Sequence, residues 1–214
     1  MLTNFKSYEG DRVKKIVIDP GHGGTDPGAV SDDFPGIDEK TYALDISARL
    51  RCLLELDGKY KCLMTREKDI FVSVPDRSKM ANDWGADLFV SIHHNARFEE
   101  RPGIEIETFF YIKNSPESKA AKAAREVQSS LIIGLVKDGE KVIDRKVKQA
   151  NFSVLRETNM PAILVELGFI TDRDEATWLG LPMNRALLAE LVNQGIRAHF
   201  AVRRHGPGGV ETED

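Results

Sequence analysis

The chain has 214 residues, 41% hydrophobic and 30% charged, which sets it apart from disordered and membrane-embedded proteins and allows one substantial core, hence one domain. Its formal net charge of −4 argues against nucleic acid as a partner, and no apolar stretch approaches the ~18–20 residues that span a bilayer.

The opening "MLTNFKSYEGDRVKK" lacks the apolar middle of a secretory signal, so a chain starting at Met1 is expected to be made in the cytoplasm without Sec export. "KIVIDPG" reads as the first strand and runs into the glycine-rich turn around His22. From Thr41 to Leu56, the residues Ile46, Leu50, Leu53 and Leu54 recur on one helix face, and Gly58 follows as a stop. "KYKCLMT" is the next strand. Cys52 and Cys62, on that helix and strand, have no CxxC spacing and no further cysteine beside them, and read as two buried thiols. Ser73, Pro75 and Asp76 open a helix ending near Gly85, with Ser73 and Asp76 spaced as a capping box.

"DLFVSIHHNA" is a third strand, again running into histidine, and "GIEIETFFYI" alternates as a strand with one less buried face. Ser115 as cap and Pro116 in the first helical position are expected to open a long helix through Leu131. "FSVL" reads as a short extended piece, and "PAILVELGF" as a buried strand ending in Glu166. Pro182 begins a last helix to about Val202, and "RRHGPGGVETED" reads as a loose polar tail.

Strands alternating with helices predict an α/β fold: a single domain with a twisted, mostly parallel central sheet and helices on both faces. Ligands of such sheets bind beyond the carboxyl ends of the strands. His22, His93 and Glu166 each lie at or near such an end, so these three polar ends can meet along one edge.

Five histidines are present. His205 in the tail and His199 near the end of the last helix read as surface or helix-terminal residues. His93 and His94 are strand neighbours pointing to opposite faces, so one of them reaches the same site as His22. His93 is favoured, because Ser91 and Asn95 share its parity; His94 is then a rim residue and a candidate substrate contact. Two imidazoles and one carboxylate, with a fourth position open, form a recognised catalytic zinc pattern. Glu39, in the first turn of a helix capped by Asp38, can supply the carboxylate, and it can equally be an ordinary N-terminal helix acid. Glu166 interrupts an apolar run, so it either has a functional role or forms a buried salt bridge with an arginine such as Arg77.

The blocks "VIDPGHGGTDPGA", "DEKTYALDISARL", "TREKDIFVSVPDRSKMAN", "ADLFVSIHHNA", "GIEIETFFY" and "RKVKQANFSVLRETNMPAILVELGFITD" resemble, in order, those of the zinc-dependent N-acetylmuramoyl-L-alanine amidases of the amidase-3 type. The resemblance covers roughly residues 14–200. It implies that His22, Glu39 and His93 are the ligands of one zinc ion, favouring His93 over His94, and that Glu166 is the catalytic acid and base. It implies hydrolysis of the amide between the lactyl group of N-acetylmuramic acid and L-alanine in peptidoglycan. The glycines around His22 are then expected to let a broad glycan approach the metal. Lys148, Gln149 and Asn151 resemble a family segment that lines the cleft, and with His94 and Asn95 they are candidate substrate contacts.

Two positions depart from the family pattern: His94 stands where many relatives have alanine, and Asp172 where asparagine is common. The expected organisation is an N-terminal extension over 1–13, an amidase catalytic domain over 14–203 and a flexible tail over 204–214. Some relatives carry an inserted helix that plugs the zinc site until a partner removes it. Here the long helix and the "KQANF" block fill residues 113–160, so an enzyme that needs no activator protein, acting as a monomer, is expected. The competing readings are a non-catalytic peptidoglycan-binding module and a zinc peptidase or deacetylase acting on another amide. The setting is the cell wall, reached either by holin-type release of a phage endolysin or by export of a bacterial autolysin whose signal lies outside this sequence.

Overall fold

The computed structural model describes residues 12–31, 34, 36–97 and 101–201; His205 and the expected tail lie outside them. Six strands form one sheet: β1 (Lys14–Pro20), β2 (Tyr60–Met64), β3 (Leu88–Asn95), β4 (Ile104–Tyr111), β5 (Val142–Ala150) and β6 (Ala162–Phe169). The helices are α1 (Glu39–Glu55), α2 (Val74–Trp84), α3 (Lys119–Lys137), α4 (Ser153–Arg156), α5 (Arg173–Gly180) and α6 (Pro182–Phe200). The strand order is β2-β1-β3-β6-β4-β5. Every pairing is parallel except that of β4 with β6. No helix separates β3 from β4, and without a crossover the chain cannot return to the end from which a parallel strand would start.

Local chemistry accounts for the helix ends. Asp38 accepts from the Thr41 amide at 3.0 Å, which starts α1 at Glu39. Ser73 caps α2, and Gly85 ends it in the left-handed region. α3 starts later than expected: Ser118, not Ser115, is its cap, because Ser115 and Glu117 are engaged in a preceding turn. "FSVL" is also not extended. It becomes the single-turn α4, whose Val154 and Leu155 bury against Phe89 and Ala81.

Alternation along the strands divides the core. Ile16, Ile18, Val90, Ile92, Ile163, Val165 and Ile106 pack under α1, α3 and α6. Val17, Phe89, Ala162 and Leu164 pack on the other face with residues of α2 and α4. Both faces of β4 are buried from Ile104 to Thr108, where a single buried face was expected. β6 continues three residues past Glu166. Cys52 is exposed and Cys62 half-buried, which corrects the reading of two buried thiols: Cys52 lies on the outward side of α1. Of the two readings of His199, surface or helix-terminal, the second holds: it lies in the last turn of α6 but is buried, its ring packed against Phe200.

The candidate metal centre

On the face that α2 and α4 cover, the strand halves nearest the carboxyl ends of β1, β3 and β6 carry polar side chains. Asp19, Ser91, His93, Asn95 and Glu166 continue the parities of Val17, Phe89 and Leu164. β4 runs the other way, so its early residues Glu105 and Glu107 join them, and Glu107 stands directly opposite Glu166 in the register. His93 is the register partner of Glu166 on the other side.

His22, Glu39 and His93 converge, with one donor atom from each lying within 4.8 Å of the others, a group that could hold a metal ion. Glu39 is buried, and its Oε1 accepts from the His93 ring at 2.8 Å and from the His94 amide at 3.0 Å. Its Oε2 accepts from the Ala29 amide at 2.9 Å and lies 3.1 Å from His22 Nε2. Burial alone would push the Glu39 carboxyl up, but hydrogen bonds from His22 and His93 outweigh it and hold the group well below the carboxylate range. The imidazoles respond in kind. Burial opposes charge on His22, yet Glu39 and Asp26 raise it to about 9, and Glu39 raises His93 against the same penalty. The three side chains therefore favour positive charge at their common point, which fits a divalent cation. Asp26 Oδ2 lies 2.8 Å from His22 Nδ1 and so turns Nε2 toward Glu39, the way outer carboxylates orient histidines that could bind a metal.

The turn bearing His22 is strained and tightly packed. His22 has φ +59°, a region that few residues with a Cβ adopt. Arg77 holds it there, donating to His22 O at 2.7 Å, Pro20 O at 2.6 Å and Asp19 Oδ1 at 2.8 Å. Thr65 and Ser91 complete the shell of Asp19 at 2.6 and 2.7 Å. Arg77 thus pairs with Asp19, and the salt bridge considered between Arg77 and Glu166 does not form. Packing within the protein already requires glycine in this turn. A Cβ on Gly21 would lie 2.6 Å from both His93 ring nitrogens, and one on Gly28 would lie 2.5 Å from Glu39 Oε2.

Glu166 is half-buried, and its Oε2 has no partner among the described residues. Burial raises it to about 7, against the pull of His93 and with a push from Glu39 and Glu107. Asn95 and Lys148 both meet Glu107, so these two candidate contacts come together beside Glu166. The other candidates do not join them. Gln149 donates to Ile112 O and to Asn114 O at 3.3 and 2.9 Å, and Asn151 accepts from Arg156 at 3.0 Å. His94 is only 3% exposed; it lies across the sheet near Tyr42 with Nδ1 2.8 Å from Leu167 O, so it is a core residue and not a rim one. Asp172 caps α5 and binds Arg97 Nη2 at 2.6 Å, a pairing that uses its negative charge. Asp19, Asp26 and Glu107 escaped sequence reasoning, although Asp19 carried a signal, as an acid at the end of an apolar run; Arg77 was considered there, but as a partner of Glu166 and not of Asp19.

The fold and site define a mixed α/β protein with a two-histidine, one-carboxylate cluster and, beside it, a glutamate whose Oε2 has no partner among the described residues. Residues 16–198 match the Amidase_3 family, N-acetylmuramoyl-L-alanine amidase, and the chain belongs to that family. It is 38% identical over 198 residues to the sporulation-specific N-acetylmuramoyl-L-alanine amidase of Bacillus subtilis, covering 92% of this chain and 72% of that protein. An N-acetylmuramoyl-L-alanine amidase from Clostridium difficile 630 superposes with a TM-score of 0.78 at 35% identity, over 87% of this chain and 96% of that one. The CwlD amidase from Clostridioides difficile, solved in complex with the GerS lipoprotein, also has a TM-score of 0.78, at 28% identity over 87% of this chain and 98% of that one. No helix among the described residues is long and apolar enough to cross a membrane.

Proposed function

We propose that the chain is a zinc-dependent hydrolase of the amide between N-acetylmuramic acid and L-alanine in peptidoglycan. The observation that carries this reading is the convergence of His22, Glu39 and His93 within 4.8 Å beside Glu166, whose Oε2 is unpartnered. These three residues would hold one zinc ion. Zinc in such a site polarises a carbonyl and lowers the pKa of water toward ~7.

The rest of the chemistry falls to the chain. Glu166, raised to about 7, is matched to neutral pH: its carboxylate takes a proton from the attacking water and passes it to the leaving alanine nitrogen. Asp26 keeps His22 Nε2 free to ligate, and Arg77 fixes the turn. Asn95 and Lys148, both on Glu107, border the place where the peptide leaves.

The enzyme acts without an activator. Residues 113–160 are taken up by α3, β5 and α4, and the buried residues of α4 pack into the core under the sheet. The test is release of new N-terminal alanine from purified peptidoglycan by the purified chain alone, with and without a chelator. Chelator-sensitive release is expected. No release from zinc-loaded protein would favour the binding module or another amide substrate, and release that required an added protein would refute activator independence.

A further inference from the structure

Beside the His22 turn, the segment joining β2 to α2 exposes two large apolar side chains, Ile70 at 51% and Phe71 at 56%, and the first residue of α2, Val74, is 44% exposed. Exposed apolar residues are ordinary on mobile loops, but this segment is clamped. Gly24 N donates to Asp69 Oδ1 at 2.7 Å, and Lys40 Nζ bridges Asp69 Oδ2 and Gly24 O at 2.8 and 3.0 Å. Arg66 donates to Gly21 O and Lys40 O, each at 2.7 Å. The guanidinium of Arg77 that holds His22 O also donates to Val72 O at 3.0 Å. A Cβ on Gly24 would lie 2.5 Å from Phe71 N and 3.2 Å from Phe71 Cβ, so Phe71 springs from direct contact with the histidine turn. Two adjacent apolar side chains held rigidly in water beside a reaction centre gain nothing from the fold.

The other flank of the centre is different. Beyond Glu166 stand Glu107, Asn95 and Lys148, which offer hydrogen bonds and charge. A substrate cleaved between a sugar's lactyl group and a peptide must lay its sugar on one flank and its peptide on the other. A peptide needs partners for its N–H and C=O groups, whereas a pyranose presents a C–H face that an aromatic ring can cover.

We infer that Ile70 and Phe71 form the subsite for the glycan, with the Phe71 ring against the C–H face of a sugar, and that the peptide lies toward Glu107 and Lys148. This rests on the amidase reading above.

The test compares wild type, Phe71→Ala and Phe71→Trp on long glycan strands bearing stem peptides, with peptide-free glycan strands and free stem peptide as inhibitors. Phe71→Ala is expected to raise KM for the strands and the inhibition constant of peptide-free glycan about fivefold, the loss of a half-covered aromatic ring. kcat is expected to change less, and Phe71→Trp, which keeps an aromatic face, to bind peptide-free glycan more tightly than Phe71→Ala does. A glycan inhibition constant within twofold of wild type in Phe71→Ala would overturn the subsite, as would a loss confined to the peptide inhibitor. Wild-type protein that releases no alanine from the strands would instead sink the amidase reading, so the two failures are distinct.

Discussion

Arg77→Met tests how the metal centre is held. The Arg77 and Asp19 side chains are 5% and 1% exposed and meet at 2.8 Å. Methionine keeps much of the length but leaves Asp19 with only the Thr65 and Ser91 hydroxyls, and it removes the donor to His22 O. Breaking a buried ion pair by removing one partner costs ~3–5 kcal/mol. At roughly 2–4 °C per kcal/mol for a domain of this size, the melting temperature should fall by about 10 °C. His22 is then no longer held at φ +59°, and zinc affinity should fall ~10–100-fold, as for other supports of metal ligands. Thermal unfolding and a competitive zinc titration measure the two effects. Asp19→Leu with Arg77→Met removes both charges, so the double variant should be less destabilised than the sum of the single ones by about 2 kcal/mol. A melting shift under ~3 °C together with unchanged zinc affinity would refute the reasoning, since a buried pair cannot be broken so cheaply.

Glu166→Gln should lower alanine release by ~10²–10⁴ while leaving zinc content intact; loss of zinc along with activity would make Glu166 a ligand instead. In the metal-free protein Glu166 is raised by burial to about 7, so its contribution to stability is present below its unfolded value and lost as pH rises through about 7. Glu166→Gln should therefore be more stable than wild type above that pH by thermal melting, and equal melting temperatures at pH 8 would count against the burial argument. Burial opposes charge on His22, but Glu39 and Asp26 raise it to about 9, so zinc must displace a proton and its affinity should climb with pH up to about 9. A flat profile in a competition assay from pH 6 to 9 would contradict the hydrogen-bonding pattern around Glu39. Gly21→Ala, whose Cβ would lie 2.6 Å from the His93 ring nitrogens, should lower zinc affinity ~10-fold or more by displacing that ring, and wild-type affinity by direct titration would show that the turn can yield.

Where information is local, the chain could be read directly. Ser73 and Gly85 bound α2, Asp38 starts α1, and the apolar runs of β1, β3 and β6 stand out because their strands are buried on both faces. His22, His93 and Glu166 were legible as polar ends to those runs. β5 was not: "VIDRKVKQA" is half-exposed at the sheet edge, and Lys146 at φ +73° breaks its alternation, so no period marks it as a strand. α5 escaped because only eight residues and the cap Asp172 define it.

Pairings across the sheet were decided by tertiary structure alone. Spacing left Glu39 between a helix acid and a ligand; packing across 54 residues set it against His93. His94, one residue further on, is buried under the opposite face because strand parity is binary. Arg77 chose Asp19, 58 residues away, and the antiparallel β4 brought Glu107 opposite Glu166. Composition and periodicity act over a few residues and determine the elements, whereas charge partners depend on strand order and register, which are settled only when the whole core closes.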